Sequence, residues 1–211
     1  MKSMIRNITD IFHWCKKLFG RVLPGKETRK IVILGDKYSG KTELWCQLQG
    51  KKNETPGGGT SQEIVESFEL GKNPSTGNRV YVETTKDVGG GSRWVPDYDC
   101  MIEGDGIFVY YLIDLTRIDD NDIISDTRQR LRTIISIIEK KKLKYCGVRI
   151  LATFCDKYNG TKKQAEYDLK NKIFSKKIFG FNSNPPIQVI CTLDKCDIES
   201  IKQQILKTIE R

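Results

Sequence analysis

The sequence contains little of what would indicate a metal enzyme, a secreted protein or a membrane span. It has one histidine, His13, and its seven cysteines form neither a Cys-x-x-Cys pair nor a cluster around that histidine. This usage predicts reduced thiols rather than a disulfide framework or a zinc site. No stretch approaches the roughly 20 consecutive apolar residues that cross a bilayer, and no secretory signal opens the chain. The sequence therefore predicts a cytoplasmic protein.

The net charge of +9 is unevenly distributed. Residues 1–30 contain eight lysine and arginine residues against two acidic residues, whereas the rest of the chain is nearly balanced. A basic stripe over a whole domain is typical of nucleic-acid binding. The charge beyond residue 30 is nearly balanced, so no nucleic acid is expected as a partner. A basic terminal segment instead favours a local contact with a membrane surface or an acidic protein.

Residues 1–23 predict a basic amphipathic helix. Apolar side chains recur at helical spacing, and Pro24 and Gly25 end the pattern as a linker. Two interpretations stay open, because periodicity does not say what covers an apolar face. The helix either packs on the domain or lies on a membrane surface as a peripheral anchor. We predict two units, the helix and linker at 1–28 and a folded domain at 29–211.

The rest of the chain predicts an α/β fold. Short apolar runs at 30–34, 106–115, 148–154 and 187–191 are typical of strands buried on both faces. Two alternating segments, at 62–70 and 79–87, predict a hairpin around a turn-rich loop. Helical patterns separate the buried strands, and the longest covers 125–141. This alternation predicts a mostly parallel sheet with helices on both faces.

The most specific motif is GDKYSGKT, which follows a buried strand and opens a helix. In that context Gly-x4-Gly-Lys-Thr predicts a phosphate-binding loop, whose backbone N–H groups surround the phosphates. Lys41 would reach the β- and γ-phosphates, and Thr42 would offer its hydroxyl to Mg²⁺. The predicted phosphate-binding residues are Gly35, Asp36, Lys37, Tyr38, Ser39, Gly40, Lys41 and Thr42.

Three shorter motifs follow in chain order. In DVGGG, Asp87 can hold the Mg²⁺ shell and Gly90 can donate its backbone N–H to the γ-phosphate. In TFCDK, Asp156 stands at a strand end, where one carboxylate can accept hydrogen bonds from N1–H and the 2-amino group of guanine. Adenine lacks that pair of donors, so a single aspartate can select the base. CTLDK, at 191–195, follows the last strand, where a loop can close over the base.

This order of motifs resembles the small GTPases of the Ras superfamily, and the DVGG spelling with the N-terminal helix is closest to the Arf/Sar-like branch. The resemblance covers about residues 29–210. It implies a P-loop NTPase three-layer sandwich with a six-stranded, mostly parallel sheet, and an effector or regulator protein as partner. It implies GTP or GDP as ligand and Mg²⁺ as cofactor. The implied guanine-binding residues are Thr153, Asp156, Cys191 and Thr192, and the implied metal ligands are Thr42, Thr60 and Asp87.

Two positions depart from the pattern of this family. Phe154 stands where the guanine motif has a lysine, and Gly91 stands where Arf-type proteins have a glutamine that orients the attacking water. The first expectation is therefore a GTP-binding switch with slow intrinsic hydrolysis and no assigned catalytic residue. Two alternatives stay open, a pseudo-GTPase that holds nucleotide as a scaffold and an ATP-using P-loop enzyme.

Overall fold

A computed structural model describes residues 25–54, 62–144, 147–174, 187–191 and 194–207. The predicted helix at 1–23, Thr60 and Thr192 lie outside these residues. The strands are β1 Lys26–Arg29, β2 Ile31–Gly35, β3 Gln62–Val65, β4 Phe68–Lys72, β5 Arg79–Val82, β6 Thr85–Val88, β7 Phe108–Asp114, β8 Gly147–Thr153 and β9 Ile187–Val189. The helices are α1 Lys41–Gln49, α2 Tyr98–Met101, α3 Asn121–Lys140, α4 Lys162–Phe174 and α5 Lys195–Leu206. From β7 onwards each strand is followed by a helix, and helix α1 follows β2, so the predicted α/β class is confirmed.

A parallel sheet of four strands, in the order β2-β7-β8-β9, positions the residues of interest. Every residue of β2 is buried, as is nearly every residue of β7. Successive side chains of a strand point to opposite faces, so such runs need cover on both sides. Because the strands are parallel, their carboxyl ends meet at one edge, where Gly35, Asp114 and Thr153 lie.

The two faces of this sheet carry separate apolar clusters. Val32 and Leu34 of β2 point into one cluster, which α2, α3 and α4 cover. Ile31 and Ile33 point into the other, which α1 and α5 cover. Helices therefore pack on both faces, as the buried strand runs predict. In the described part of the chain no helix combines the length and the apolar character needed to cross a membrane.

The single six-stranded sheet expected from the sequence is divided in the structure. The strands form sheets of three, four and two members, ordered β1-β5-β4, β2-β7-β8-β9 and β3-β6. Only Lys30 separates β1 from β2, yet β1 pairs with β5 and β2 pairs with β7. Both arms of the predicted hairpin are also interrupted, at 66–67 and 83–84. At the first interruption the Ser67 hydroxyl donates to the Val82 carbonyl at 2.7 Å.

Strand β1 and helix α3 begin earlier than the sequence predicts. Strand β1 begins at Lys26, so residues 26–28 belong to a sheet rather than to the predicted linker. Helix α3 begins at Asn121 rather than 125, because the Asp120 side chain accepts hydrogen bonds from the N–H groups of residues 122 and 123. Helix α5 is capped in the same way by Asp194. Aspartate is a strong N-cap residue, and an exposed polar first turn hides such a start from hydrophobic periodicity.

The Glu27 side chain on β1 forms hydrogen bonds with the turn between β4 and β5. Its carboxylate accepts hydrogen bonds from Thr76 Oγ1 at 2.6 Å and from Asn78 Nδ2 at 2.8 Å. Asn73 Nδ2 at 3.1 Å and Arg29 Nη2 at 2.6 Å complete the set. The pKa of Glu27 is lowered to about 2, and the hydrogen bond from Thr76 is the largest of the effects that lower it. One ionised side chain from a distant part of the sequence thus joins the turn-rich loop to β1.

We predict that Glu27→Gln destabilises the fold by about 1–2 kcal/mol at pH 7, because the hydrogen bonds lose their charge assistance. A carboxylate with a lowered pKa stabilises the native state above its unfolded pKa of about 4.5 and loses this effect as pH falls towards 2. The difference in unfolding free energy between wild type and variant should therefore shrink below pH 4.5. Urea unfolding at several pH values measures it.

The matched control is Glu69→Gln, a more exposed glutamate of the same three-stranded sheet that pairs with Arg79. An exposed ion pair contributes about 0–1 kcal/mol, so this variant should change stability little. Equal effects of the two substitutions, or a Glu27→Gln effect that does not depend on pH, would contradict the assignment.

Candidate functional site

The predicted phosphate loop turns tightly from β2 into α1. Gly35, Tyr38 and Gly40 have φ values of 149°, 62° and 86°. A β-carbon on Gly35 would lie 2.4 Å from the carbonyl oxygen of Leu112, so only glycine fits beside β7 here. The leading N–H groups of α1 follow directly, and the first N–H groups of a helix have no intrahelical acceptor. A turn of this kind at a helix N-terminus is a geometry that binds anions.

The side chains of the loop divide into an inner and an outer set. Ser39 is fully buried, and its hydroxyl donates to the Asp36 carbonyl oxygen at 2.9 Å. Lys37 and Tyr38 are exposed on the outside, Tyr38 by 58%. The loop is therefore closed internally by a side-chain hydrogen bond and carries a cation and an aromatic ring on its rim.

Lys41 is buried beneath the loop with its ammonium group held by backbone. Its Nζ donates to the carbonyl oxygen of Asp36 at 2.7 Å and to that of Gly35 at 3.3 Å. Burial lowers the pKa of Lys41 to about 8, against the opposing effects of the Asp87 and Asp36 charges. A buried ammonium bonded to carbonyl dipoles is only partly compensated. An anion bound in the loop would complete its compensation.

Thr42 and Asp87, two of the predicted metal ligands, are in contact. The Thr42 hydroxyl donates to Oδ2 of Asp87 at 2.6 Å, while Oδ1 is buried and accepts no hydrogen bond from the described residues. Burial raises the pKa of Asp87, and the hydrogen bond from Thr42 and the charge of Lys41 oppose that rise. An unmatched buried carboxylate oxygen beside a hydroxyl fits a hard cation such as Mg²⁺.

The remaining ligands of a Mg²⁺ ion here would be phosphate oxygens, water or residues outside the described ranges, such as Thr60. Among the described residues no group of three or more His, Cys, Asp or Glu side chains is arranged to hold a metal. Mg²⁺ commonly keeps several waters and takes only one or two carboxylates from the protein. Thr42 and Asp87 therefore suit a metal that arrives with a nucleotide, and the predicted third ligand, Thr60, lies outside the described residues.

Gly90 lies directly against the phosphate loop. A β-carbon on Gly90 would lie 2.1 Å from the carbonyl carbon of Asp36 and 2.1 Å from the amide nitrogen of Lys37. Any other residue would therefore have to displace backbone. The neighbouring position is open, because a β-carbon on Gly91 would meet nothing closer than 4.0 Å. The backbone of Gly90, which is predicted to contact the γ-phosphate, therefore lies at the loop.

The side chain of Asp36 points away from the predicted phosphate site, so any phosphate contact of this residue is limited to its backbone. The carboxylate is buried and accepts hydrogen bonds from Tyr111 at 3.3 Å and Thr127 at 3.1 Å. Arg130 completes the set, with Nη1 at 3.2 Å from Oδ1. Burial raises the pKa of Asp36, and Arg130 is the strongest opposing influence.

Sequence reasoning missed Thr127 and Arg130, although a signal was present. Both residues lie on the buried side of α3, in line with Leu131 and Ile134. A charged residue on the apolar face of an amphipathic helix needs a buried partner. That requirement predicts an acidic partner for Arg130 in the sheet or in a loop that follows one of its strands.

Thr153 has a different role from the one expected. It is fully buried at the end of β8, with Oγ1 at 2.9 Å from the Ser39 carbonyl oxygen and 3.1 Å from that of Ile113. A hydroxyl has one proton, so these two carbonyl oxygens share it. Its hydrogen bonding is therefore directed to the protein rather than to a base. Thr153 links the phosphate loop to the strand that carries the predicted base-binding residues.

Asp156 and Cys191 are brought together from separate loops. Cys191 Sγ lies 3.6 Å from Oδ1 of Asp156, and Asp156 is exposed. Phe154, between β8 and Asp156, has a left-handed φ of 58°, and Lys157 Nζ lies 5.0 Å from the centre of its ring. Asp156 and Cys191 are thus neighbours at one edge of the sheet, while Thr192 lies outside the described residues.

We predict that triphosphate binding weakens as pH rises through 8, because Lys41 has a pKa of about 8 in the ligand-free protein. Only the protonated form pairs with phosphate, so affinity should fall by about tenfold per pH unit above that value, and binding should take up a proton. Calorimetry from pH 7 to 9 in buffers of different ionisation enthalpy measures both effects. Lys41→Arg, which stays protonated, is the control, and an equal pH dependence in that variant would contradict the assignment to Lys41.

No protein-family model matches this chain, and a comparison with curated proteins found no significant match. The functional argument therefore rests on the geometry of the site. The features that matter are the phosphate loop, the buried ammonium of Lys41 and the paired hydroxyl and carboxylate of Thr42 and Asp87.

Proposed function

We propose that this chain is a GTP-binding switch of the small GTPase type. It binds GTP or GDP with Mg²⁺ at the carboxyl edge of the four-stranded sheet, hydrolyses GTP slowly by itself and presents its nucleotide state to a partner protein. In open parallel sheets, ligands bind outside the carboxyl ends of the strands. The phosphate loop, the DVGGG segment and the end of β8 all lie at that edge.

The observation that carries this proposal is the hydrogen bond between Thr153 and the phosphate loop. The contact of Oγ1 with the Ser39 carbonyl oxygen at 2.9 Å fixes the end of β8 against the loop. Asp156 follows three residues later and meets Cys191. A phosphate-binding loop and an acidic residue suited to guanine are therefore parts of one assembly, as a single nucleotide requires.

The phosphate and metal contacts follow from the same geometry. Lys41 would bind the β- and γ-phosphates, because its ammonium group lies under the loop, where its described hydrogen bonds go to two backbone carbonyl oxygens. Thr42 and Asp87 would hold Mg²⁺, which supplies neutralisation of phosphate charge. The N–H of Gly90 would meet the γ-phosphate, since its backbone touches the loop at Asp36 and Lys37.

The proposed P-loop architecture also has support in the strand order. Strands β1 and β2 are consecutive, so the three-stranded sheet leads into the four-stranded sheet through Lys30 alone. Counted as one strand, they give the order β4-β5-β1/β2-β7-β8-β9. That is six strands with one antiparallel pair, β4 with β5. We propose that the three-layer fold of P-loop NTPases underlies the division into smaller sheets.

Slow hydrolysis is the expected consequence of Gly91. Phosphoryl transfer to water needs a positioned water and compensation of developing charge. Lys41 and Mg²⁺ would supply charge compensation, but Gly91 has no side chain to orient water. The nearby cation of Arg93 stacks on Trp94 at 4.8 Å. The lack of a side chain at Gly91 also favours the second candidate, a pseudo-GTPase scaffold that holds nucleotide without turnover.

The proposed partner is an effector or regulator protein. Lys37 and Tyr38 form an exposed rim of the phosphate loop, where such a protein would sense the nucleotide. Lys37 would also crowd an arginine entering from a partner. Association with a membrane surface is proposed from the basic amphipathic pattern of residues 1–23 alone.

We predict that Asp156→Asn weakens GTP binding by at least about tenfold, because two guanine donors lose a charged acceptor. Xanthosine triphosphate, which presents an acceptor where guanine has its amino group, should be affected less. Titration of the purified protein with GTP, ATP and xanthosine triphosphate measures the change. Nucleotide released on denaturation of the purified protein gives an independent test.

The matched control is Asp105→Asn. Asp105 precedes β7 at the opposite edge of the sheet and accepts from the Lys144 N–H, a bond that asparagine can keep. It should leave all nucleotide affinities unchanged. Equal affinity of the wild type for ATP and GTP would favour the ATP-using alternative and overturn guanine selection.

We predict a hydrolysis rate on the order of 10⁻⁴ per second for the isolated protein. Gly91→Gln should raise it by roughly tenfold, because a side-chain amide can position the attacking water. The variant should fold, since Gly91 has an extended backbone with φ −73° and ψ 155° and open space around it. Single-turnover hydrolysis with Mg²⁺ measures the rate.

Gly91→Leu adds bulk without a hydrogen-bonding group and is the control. If it accelerates hydrolysis as much as Gly91→Gln does, water positioning is not the cause. Fast turnover by the wild type would contradict the role given to Gly91. Nucleotide that is bound but neither exchanged nor hydrolysed, even in Gly91→Gln, would favour the scaffold.

A further inference from the structure

A buried arginine joins the phosphate loop to the segment that follows Asp87. Arg130 on α3 and Asp36 in the loop expose only 7% and 8% of their side chains. Nη1 of Arg130 donates to the Gly90 carbonyl oxygen at 2.6 Å and lies 3.2 Å from Oδ1 of Asp36. One cation therefore holds a side chain of the loop and the backbone of the DVGGG segment at the same time.

The position of Gly90 is consequently fixed from two sides. On one side its backbone touches the Asp36–Lys37 peptide so closely that a β-carbon would lie 2.1 Å away. On the other side its carbonyl oxygen is anchored by the guanidinium. The hydrogen bond is short and charge-assisted, and such bonds are among the stronger ones in proteins. The N–H of Gly90 is therefore held at a set distance from the loop before any ligand binds.

We infer that Arg130 is a positioning residue for the terminal phosphate. By anchoring Gly90, it sets the preference of the site for a nucleoside triphosphate over a diphosphate. This inference rests on the proposed function, in which the Gly90 N–H meets the γ-phosphate. A donor that is fixed in advance stabilises its ligand without the cost of reorganisation. A diphosphate has no group at that position, so it gains nothing from the anchor.

The contact extends from the loop to α2. Tyr98, the first residue of α2, is buried to 1% exposure. Burial raises the pKa of Tyr98 to about 12, and Arg130 opposes that rise through its charge and a hydrogen bond. The same guanidinium therefore adjoins the loop, Gly90 and α2.

Removal of Arg130 alone would leave the Asp36 carboxylate buried without its cation, which is strongly destabilising. The test therefore uses the double variant Asp36→Asn/Arg130→Met, which removes both charges. Asp36→Asn alone removes the ion pair but keeps the Arg130 bond to Gly90; it leaves the buried Arg130 charge without its carboxylate, so it should also lower stability. Thermal melts and circular dichroism establish that each variant folds. Calorimetry with Mg²⁺ then gives the dissociation constants for GDP and for a non-hydrolysable GTP analogue.

The matched control is Arg128→Met, on the same helix. Arg128 also donates to backbone carbonyl oxygens, those of Lys172 and Ile173, but at α4. It should lower stability without changing the ratio of the two dissociation constants. The double variant should lower the preference for the triphosphate over GDP by about tenfold, and Asp36→Asn should keep most of that preference.

Arg130→Lys is the second variant, for the case in which the double variant does not fold. It keeps a cation near Asp36 but has a shorter reach and no rigid guanidinium to hold Nη1 between the two acceptors, so an intermediate loss of preference is expected. Equal losses of both affinities, an unchanged ratio or a stronger triphosphate preference would each overturn the role of Arg130. A wild-type protein that binds neither nucleotide would overturn the proposed function as well, which separates the two failures.

Discussion

The burial of the Asp36 carboxylate is the interaction on which the candidate site depends. A buried carboxylate is unstable unless a cation and hydrogen-bond donors surround it. Arg130 and Thr127 come from α3, and Tyr111 comes from β7. The charge can therefore be buried only when the loop, the helix and the strand pack together. The shape of the loop is thus tied to the core of the protein rather than to its local sequence alone.

The two cations near the loop differ in how their charge is balanced. Arg130 pairs with the full negative charge of Asp36, so the positive charge of Arg130 is largely neutralised within the protein. Lys41 donates to two carbonyl oxygens, which carry only partial charges, and burial lowers its pKa to about 8 even though the nearby charges of Asp87 and Asp36 favour its protonated form. The attraction of Lys41 for a phosphate is therefore still available. Arg130 shapes the site, whereas Lys41 is suited to bind the ligand.

The sequence predicted the features that local patterns determine. Buried strands, the glycine loop and the placement of Lys41, Thr42 and Asp87 follow from short motifs and their order. The contacts of Asp36 and Thr153 did not follow, because each depends on a partner far along the chain, Arg130 and Ser39 respectively. The division of the sheet was missed for a related reason. Apolar alternation locates strands, but it does not say which neighbour each part of a strand pairs with.

The proposed phosphate-binding and base-binding halves of the candidate site differ in how rigidly the protein holds them. The phosphate half rests on buried hydrogen bonds of Ser39, Lys41 and Thr153, in surroundings where polar interactions are strong. In the base half Asp156 is exposed and meets a weakly polar thiol at 3.6 Å. Water competes with an exposed carboxylate, so the base should contribute less affinity than the phosphates. Selectivity for guanine would then arise mainly from the missing donors of adenine, and overall affinity from the loop.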